Sequence, residues 1–166
     1  MLTSVPLLKA RPPRPLVLGS LQFSSNREMS ITRIWERLYV GNLKDASQLA
    51  AANPFGITAV VSLCSHKVPH RARNVSYTRV PIADSRPISA RQFEAVMAAI
   101  AQGIRQGNLL IHCVGGVSRS PIMAAAWMHR CGYLNLVGSL LTIAQLRPMT
   151  DPSPVFLRSV GAHLSR

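Results

Sequence analysis

Three consecutive apolar residues, Leu109-Leu110-Ile111, stand between a helical pattern that stops at Gly107 and a loop that carries Gly115 and Gly116. Strand side chains alternate between two faces, so a strand that is apolar at every position needs cover on both. This run is therefore read as the central strand of a sheet with helices on its faces. Residues 57–63 form a longer β-branched run and read the same way. Leu38-Tyr39-Val40 reads as a short strand that ends in a turn at Gly41-Asn42. Residues 75–82 read as a strand nearer an edge, because Pro81 cannot donate to a ladder.

Helical signals alternate with these runs. Asp45 is read as the N-cap of a short helix over 46–52, stopped ahead of Pro54. Ser89-Ala90-Arg91-Gln92 is a capping box. Behind it Phe93, Val96, Met97, Ile100 and Ile104 recur at helical spacing. Ser120 and Pro121 open a helix that Gly132 closes, with proline at the favoured first position. Asn135 opens a further helix ended at Pro148, and Ser153-Pro154 opens the last. Alternating strands and helices predict an α/β fold, a small and mostly parallel central sheet flanked by helices.

The chain has 166 residues, of which 48% are hydrophobic, enough for one domain with a real core. Residues 1–28 differ from the rest. Arg11-Pro12-Pro13-Arg14-Pro15 fits neither a helix nor a central strand, and the segment is read as a disordered, basic, proline-rich arm ahead of a folded body at 29–166. A targeting role for that arm stays open. No run of eighteen apolar residues occurs, so no membrane span is expected. The formal charge of +13 implies attraction to an acidic partner, without choosing among phosphoprotein, nucleic acid and anionic membrane. Three cysteines cannot all pair within one chain. Cys64 and Cys131 read as buried thiols, and the protein as one of a reducing, cytoplasmic compartment.

The chemistry is concentrated in His112-Cys113-Val114-Gly115-Gly116-Val117-Ser118-Arg119-Ser120. A loop that enters a helix N-terminus presents several backbone N–H groups to one point, and the helix dipole adds positive charge there. Gly115 and Gly116 let the backbone curl, so Val114, Gly115, Gly116, Val117 and Ser118 are expected to form an anion nest. Arg119 can grip two phosphate oxygens with its planar fork. The same field favours a thiolate at Cys113, the form that attacks phosphorus. His112 is expected to order the loop through hydrogen bonds. Ser120 can donate a hydrogen bond to the sulfur as it leaves. Cys-x5-Arg alone arises by chance; the strand before it, the glycines and Pro121 after it give it weight.

On these residues the chain resembles the dual-specificity protein phosphatases, small atypical members of the protein tyrosine phosphatase superfamily. Their loop reads His-Cys-x-x-Gly-x-Ser-Arg-Ser, matched by His112, Cys113, Gly116, Ser118, Arg119 and Ser120, with Pro121 following. Gly115 stands where the family usually has alanine. Residues 38–42 look like the family's first strand and 56–61 like its second; Arg147-Pro148, Pro152 and Phe156 look like its ending. The resemblance implies the cysteine-phosphatase fold and hydrolysis of phosphotyrosine and phosphoserine or phosphothreonine through a cysteinyl-phosphate, with no cofactor. It also implies a general acid about thirty residues before the cysteine, which is where Asp84 stands.

Other readings are weaker. A pseudophosphatase usually loses the cysteine or the arginine, and both are kept here. Phosphoinositide phosphatases often carry further basic residues in the loop, and the loops of phosphatases of RNA 5′ ends differ from Gly-Val-Ser-Arg-Ser. Sulfur transfer or arsenate reduction would not call for Ser-Arg-Ser-Pro. Aromatic residues do not interleave with the charges, so no specific nucleic acid is expected. His66, His70, Cys64 and His129 lack a metal-ligand spacing. Lys67, His70, Arg71, Arg73 and Arg79 form a basic cluster that can steer acidic phosphopeptides if it lies beside the site.

Overall fold

The computed structural model describes residues 29–165, so the proline-rich arm at 1–28 lies outside the described residues. In chain order the elements are β1 (Thr32–Trp35), β2 (Leu38–Gly41), α1 (Leu43–Gln48), β3 (Ile57–Ser62), β4 (Ser76–Arg79), α2 (Ala90–Gln106), β5 (Asn108–His112), α3 (Arg119–Arg130), α4 (Leu136–Leu146) and α5 (Pro154–Leu164). The sheet runs β1-β2-β5-β3-β4. Only the β1–β2 pair is antiparallel; β2, β5, β3 and β4 are parallel. The apolar run at 109–111 is thus the middle strand, as its sequence requires.

The alternation of β5 divides the core. Leu109 and Ile111 join the larger cluster with Leu38, Val40, Val61, Phe93, Ile100, Ile122 and Phe156, beneath α2, α3, α4 and α5. Leu110 faces the other way and joins Tyr39, Ala46, Leu49, Ile57, Val60 and Val68, beneath α1 and the loop after β3. The inner strands β2, β5 and β3 are covered on both faces, which is why they read as apolar runs, whereas the edge strand β4 is largely exposed.

One strand went unread and three local readings need correction. β1 carries no clear sequence signal, since Thr-Arg-Ile-Trp mixes types and its pairing with β2 is irregular between Arg33 and Trp35. Helix α1 begins earlier than expected: Asn42 is the cap, its side chain accepting from Asp45 N at 2.8 Å while Asp45 accepts from Asn42 N at 2.9 Å. Asp45 is therefore the third helical residue of a capping box, not the cap. In α3 the helix starts at Arg119, two residues ahead of Pro121. The strand expected to reach 82 closes at Arg79, yet Val80 N and Ile82 N still donate to Ser62 O and Leu63 O at 2.9 and 3.0 Å. Pro81, without an N–H, separates those two bonds and ends the regular ladder.

Leu110 is fully buried at the centre of the smaller cluster. Leu110→Ala is expected to cost about 2–5 kcal/mol, read as a lower urea midpoint at unchanged slope.

Candidate active site

The nonapeptide singled out in the sequence runs from the last residue of β5 into α3. Cys113 is 2% exposed, and its Sγ lies 3.2 Å from Gly116 N and 3.3 Å from Ser120 Oγ. The loop therefore curls around the sulfur, with one backbone N–H and one hydroxyl in reach of it.

What curls the loop is the set of partners that hold its carbonyls. His112 Nδ1 donates to Cys113 O at 3.1 Å. Leu43 N, at the start of α1, donates to Val114 O at 3.1 Å. Arg147 Nε donates to Gly116 O at 2.9 Å, and Asp151 N to Val117 O at 2.8 Å. In a trans peptide the C=O and the following N–H point in opposite directions. Drawing these four carbonyls outward turns the N–H groups of Val114, Gly115, Val117 and Ser118 inward. The curl of the loop is thus set from outside it.

The two glycines do not share the work. Gly116 has φ +67, and a Cβ there would sit 2.5 Å from Gly41 O and 2.6 Å from Arg147 Nη2. Gly115 has no such constraint; a Cβ would meet only the Val117 methyls, at 3.7 Å or more. The family's usual alanine at that position has room here.

Ser118, the residue before α3, makes no side-chain cap for that helix. Its Oγ instead accepts from Ser153 N at 2.9 Å, tying the start of α5 to the loop. The opening N–H groups of α3 are left to face the nest. Arg119 is 8% exposed, its Nη1 donating to Ile82 O at 2.9 Å and its Nε standing 3.8 Å from Asp84 Oδ1. Asp84 is exposed, at a turn where its own Oδ1 accepts from Ser85 N at 2.9 Å and Ser85 has φ +53. The structure thus brings Asp84, Arg119, Ser120 and Cys113 to one place.

His112 is fully buried, and burial pushes its pKa below the usual imidazole range, with the nearby Arg119 charge adding to that. Nδ1 donates to Cys113 O, and Nε2 lies 2.6 Å from Ser62 Oγ, from which the neutral ring accepts. Ser62 lies beside His112 in the β3–β5 pairing, a partner that sequence alone does not reveal.

The basic cluster of the sequence divides. Arg79 pairs in register with Ser62, which pairs with His112, and its Nη1 donates to Ser65 O at 2.8 Å, so it stands at the sheet end that carries Cys113. Arg71 and Arg73 instead line a separate cleft with Gly56, Ile57 and Thr58, at the opposite end of the parallel strands. Arg71 stacks over the Tyr77 ring at 5.1 Å. The two other cysteines also differ. Cys64 is buried and its thiol is pushed up by burial, with opposing influences from Arg119 and Cys113, whereas Cys131 is half-buried and responds to burial, then to Glu36 and Arg130.

Comparison with known proteins gives a consistent result. The family model described as "Dual specificity phosphatase, catalytic domain" matches residues 38–165. The chain is 31% identical over 122 residues to human dual specificity protein phosphatase 15, covering 72% of this chain and 41% of that protein. It is 25% identical over 138 residues to human dual specificity protein phosphatase 18, covering 82% and 73%. The chain thus spans about half or less of the length of several curated relatives it matches. A crystal structure of a mouse putative dual specificity phosphatase complexed with zinc tungstate superposes with TM-score 0.75 at 25% identity, over 88% of this chain and 93% of that one. A crystal structure of dual specificity phosphatase 15 gives TM-score 0.72 at 26% identity, over 81% and 86%.

Two measurements check this geometry. Gly116→Ala is expected to abolish binding of inorganic phosphate while Gly115→Ala keeps it within a few-fold, read by isothermal titration. His112 keeps its neutral form when folded, so the unfolded chain takes up the proton first on acidification. Its contribution to stability is full above about pH 6.5 and is lost as the pH falls below that value. Urea midpoints across pH 4.5–8 should show that slope, and His112→Asn should flatten it.

Proposed function

The chain belongs to the dual specificity phosphatase catalytic-domain family, and on that footing we propose that it is a cysteine-dependent protein phosphatase acting on phosphotyrosine and on phosphoserine or phosphothreonine. The observation that supports this most directly is the Cys113 sulfur set 3.2 Å from Gly116 N and 3.3 Å from Ser120 Oγ, within a loop whose other N–H groups face inward.

In the first step the Cys113 thiolate attacks phosphorus. The bond to the substrate oxygen breaks as the S–P bond forms, and Asp84 gives its proton to the leaving oxygen. The inward N–H groups and the Arg119 fork hold the equatorial oxygens, whose charge they stabilise in the transition state. In the second step Asp84, now a carboxylate, takes a proton from water. That water attacks phosphorus, the S–P bond breaks, and inorganic phosphate and the thiolate are released. Ser120 donates to the departing sulfur. His112 acts through the loop, as a positioning residue.

Asp84 beside Arg119 supports its assignment as the acid, since a residue on the exposed turn before α2 can approach a leaving group above the nest. The nucleophile has to stay reduced, which supports a reducing compartment. Among the described residues no helix is long and apolar enough to cross a membrane. A strongly basic chain, with Arg79 at the site's end of the sheet, supports phosphoprotein substrates with acidic surroundings.

The test is hydrolysis of p-nitrophenyl phosphate in buffer without added metal. Cys113→Ser is expected to remove all activity. Asp84→Asn should lower kcat on a phosphoserine or phosphothreonine peptide by about 10²–10⁴, and less on the aryl ester, whose leaving group needs a proton less. A folded wild type that binds a phosphopeptide and hydrolyses neither substrate would replace this reading with a phosphate-binding module.

A further inference from the structure

Arg147 is 1% exposed, among the largest fully buried side chains of the molecule, and none of the steps above uses it. It caps α4, a helix without a single charge in Leu136–Leu146. Its Nε donates to Gly116 O at 2.9 Å. Its Nη1 reaches the other way, to Ser30 O and, at 3.0 Å, to Thr32 Oγ1. Its Nη2 makes no hydrogen bond among the described residues and lies against Gly116, where a Cβ would come within 2.6 Å of it. One guanidinium therefore spans from the start of β1 to the back of the loop that surrounds Cys113.

No carboxylate pairs with Arg147 directly among the described residues. Asp45 balances it at one remove. That carboxylate, 1% exposed, accepts from Ser30 N at 2.7 Å and Ser30 Oγ at 2.8 Å, while Ser30 O takes Arg147. Burial pushes the Arg147 pKa down, opposed by Asp45 and Cys113. A guanidinium remains charged even so. A buried positive charge with no direct counter-ion acts strongly on whatever anion lies nearest, because little water screens it.

We infer that Arg147 is a positioning residue for the phosphate loop: by holding the Gly116 carbonyl outward it turns the Val117 N–H toward the bound phosphate, and it sets a fixed positive charge behind the nest. This rests on the reading of the loop as a phosphate site. Arg119 stands at the mouth of the loop, where its fork can grip phosphate oxygens. Arg147 grips the backbone from behind and stays in place. Lysine keeps the charge and can reach one acceptor, but lacks the fork that serves Gly116 O and Ser30 O together.

The experiment compares wild type, Arg147→Met, Arg147→Lys and Thr32→Val. It measures kcat and KM on p-nitrophenyl phosphate, the inhibition constant of inorganic phosphate, and the thermal midpoint of each protein. Arg147→Met is expected to weaken phosphate inhibition about tenfold to hundredfold, the worth of a hydrogen bond from a charged donor, with a fall in kcat besides. Arg147→Lys should recover part of both. Thr32→Val removes an outer partner only, and should lower the thermal midpoint while phosphate inhibition stays within about twofold. If Arg147→Met does not fold, Arg147→Lys decides: inhibition weakened several-fold supports the inference, and inhibition equal to wild type overturns it. Folded Arg147 variants with lower thermal midpoints and unchanged phosphate inhibition would likewise reduce Arg147 to a structural role. A wild type that is folded and neither hydrolyses the ester nor binds phosphate would refute the phosphatase reading itself, and this inference with it.

Discussion

A planar trans peptide cannot send its carbonyl and its N–H the same way, and the site of this protein depends on that constraint. Four carbonyls of the loop at 113–117 are held by donors outside it: the His112 ring, Leu43 N, the Arg147 side chain and Asp151 N. Each hold fixes one inward N–H. The curl of the loop is thus a consequence of where neighbouring elements end, and it needs no strong preference in the loop residues themselves. Only Gly116 is forced, by its positive φ and by the crowding of Gly41 O.

The supports are expensive in isolation. A buried ion costs several kcal/mol even after relaxation, by about the usual reckoning for protein interiors, and here both Arg147 and Asp45 are buried without touching. Ser30 reconciles them, its N–H and hydroxyl serving the acid while its carbonyl serves the base. A single serine can do this because its backbone carries one donor and one acceptor and its side chain adds a hydroxyl. His112 solves a similar problem by staying neutral and using both ring nitrogens.

Much of this was legible in the sequence where the physics is local. Leu109-Leu110-Ile111 announced an inner strand because a strand that is apolar at every position needs cover on both faces. Cys113, Arg119 and Ser120 were legible because loop, glycine and helix start are adjacent in the chain. Asp84 came only through the family resemblance, and the structure sets it beside Arg119. The outer partners were not legible. Leu43 and Asp151 act through backbone N–H groups, which carry no residue signature, and Ser62 meets His112 only through strand register. Arg147 did leave a trace, as the first charge after a charge-free helix that ends at a proline. The place of the basic cluster was open in the sequence for a topological reason: residues 71–79 are close in sequence, but β4 carries the chain from one end of the sheet to the other between Arg73 and Arg79.

The span of the contacts behind the loop bears on how the protein matures. Arg147 lies 31 residues after Gly116 and 117 residues after Ser30, and the Ser118–Ser153 bond closes a further 35. Contacts so distant along the chain form only after much loop-closure entropy has been overcome, and they slow folding. During synthesis Cys113 emerges well before the residues that shape its surroundings. Until α4 and α5 have docked, the nascent chain carries the Cys113 thiol without the outer contacts that shape its loop.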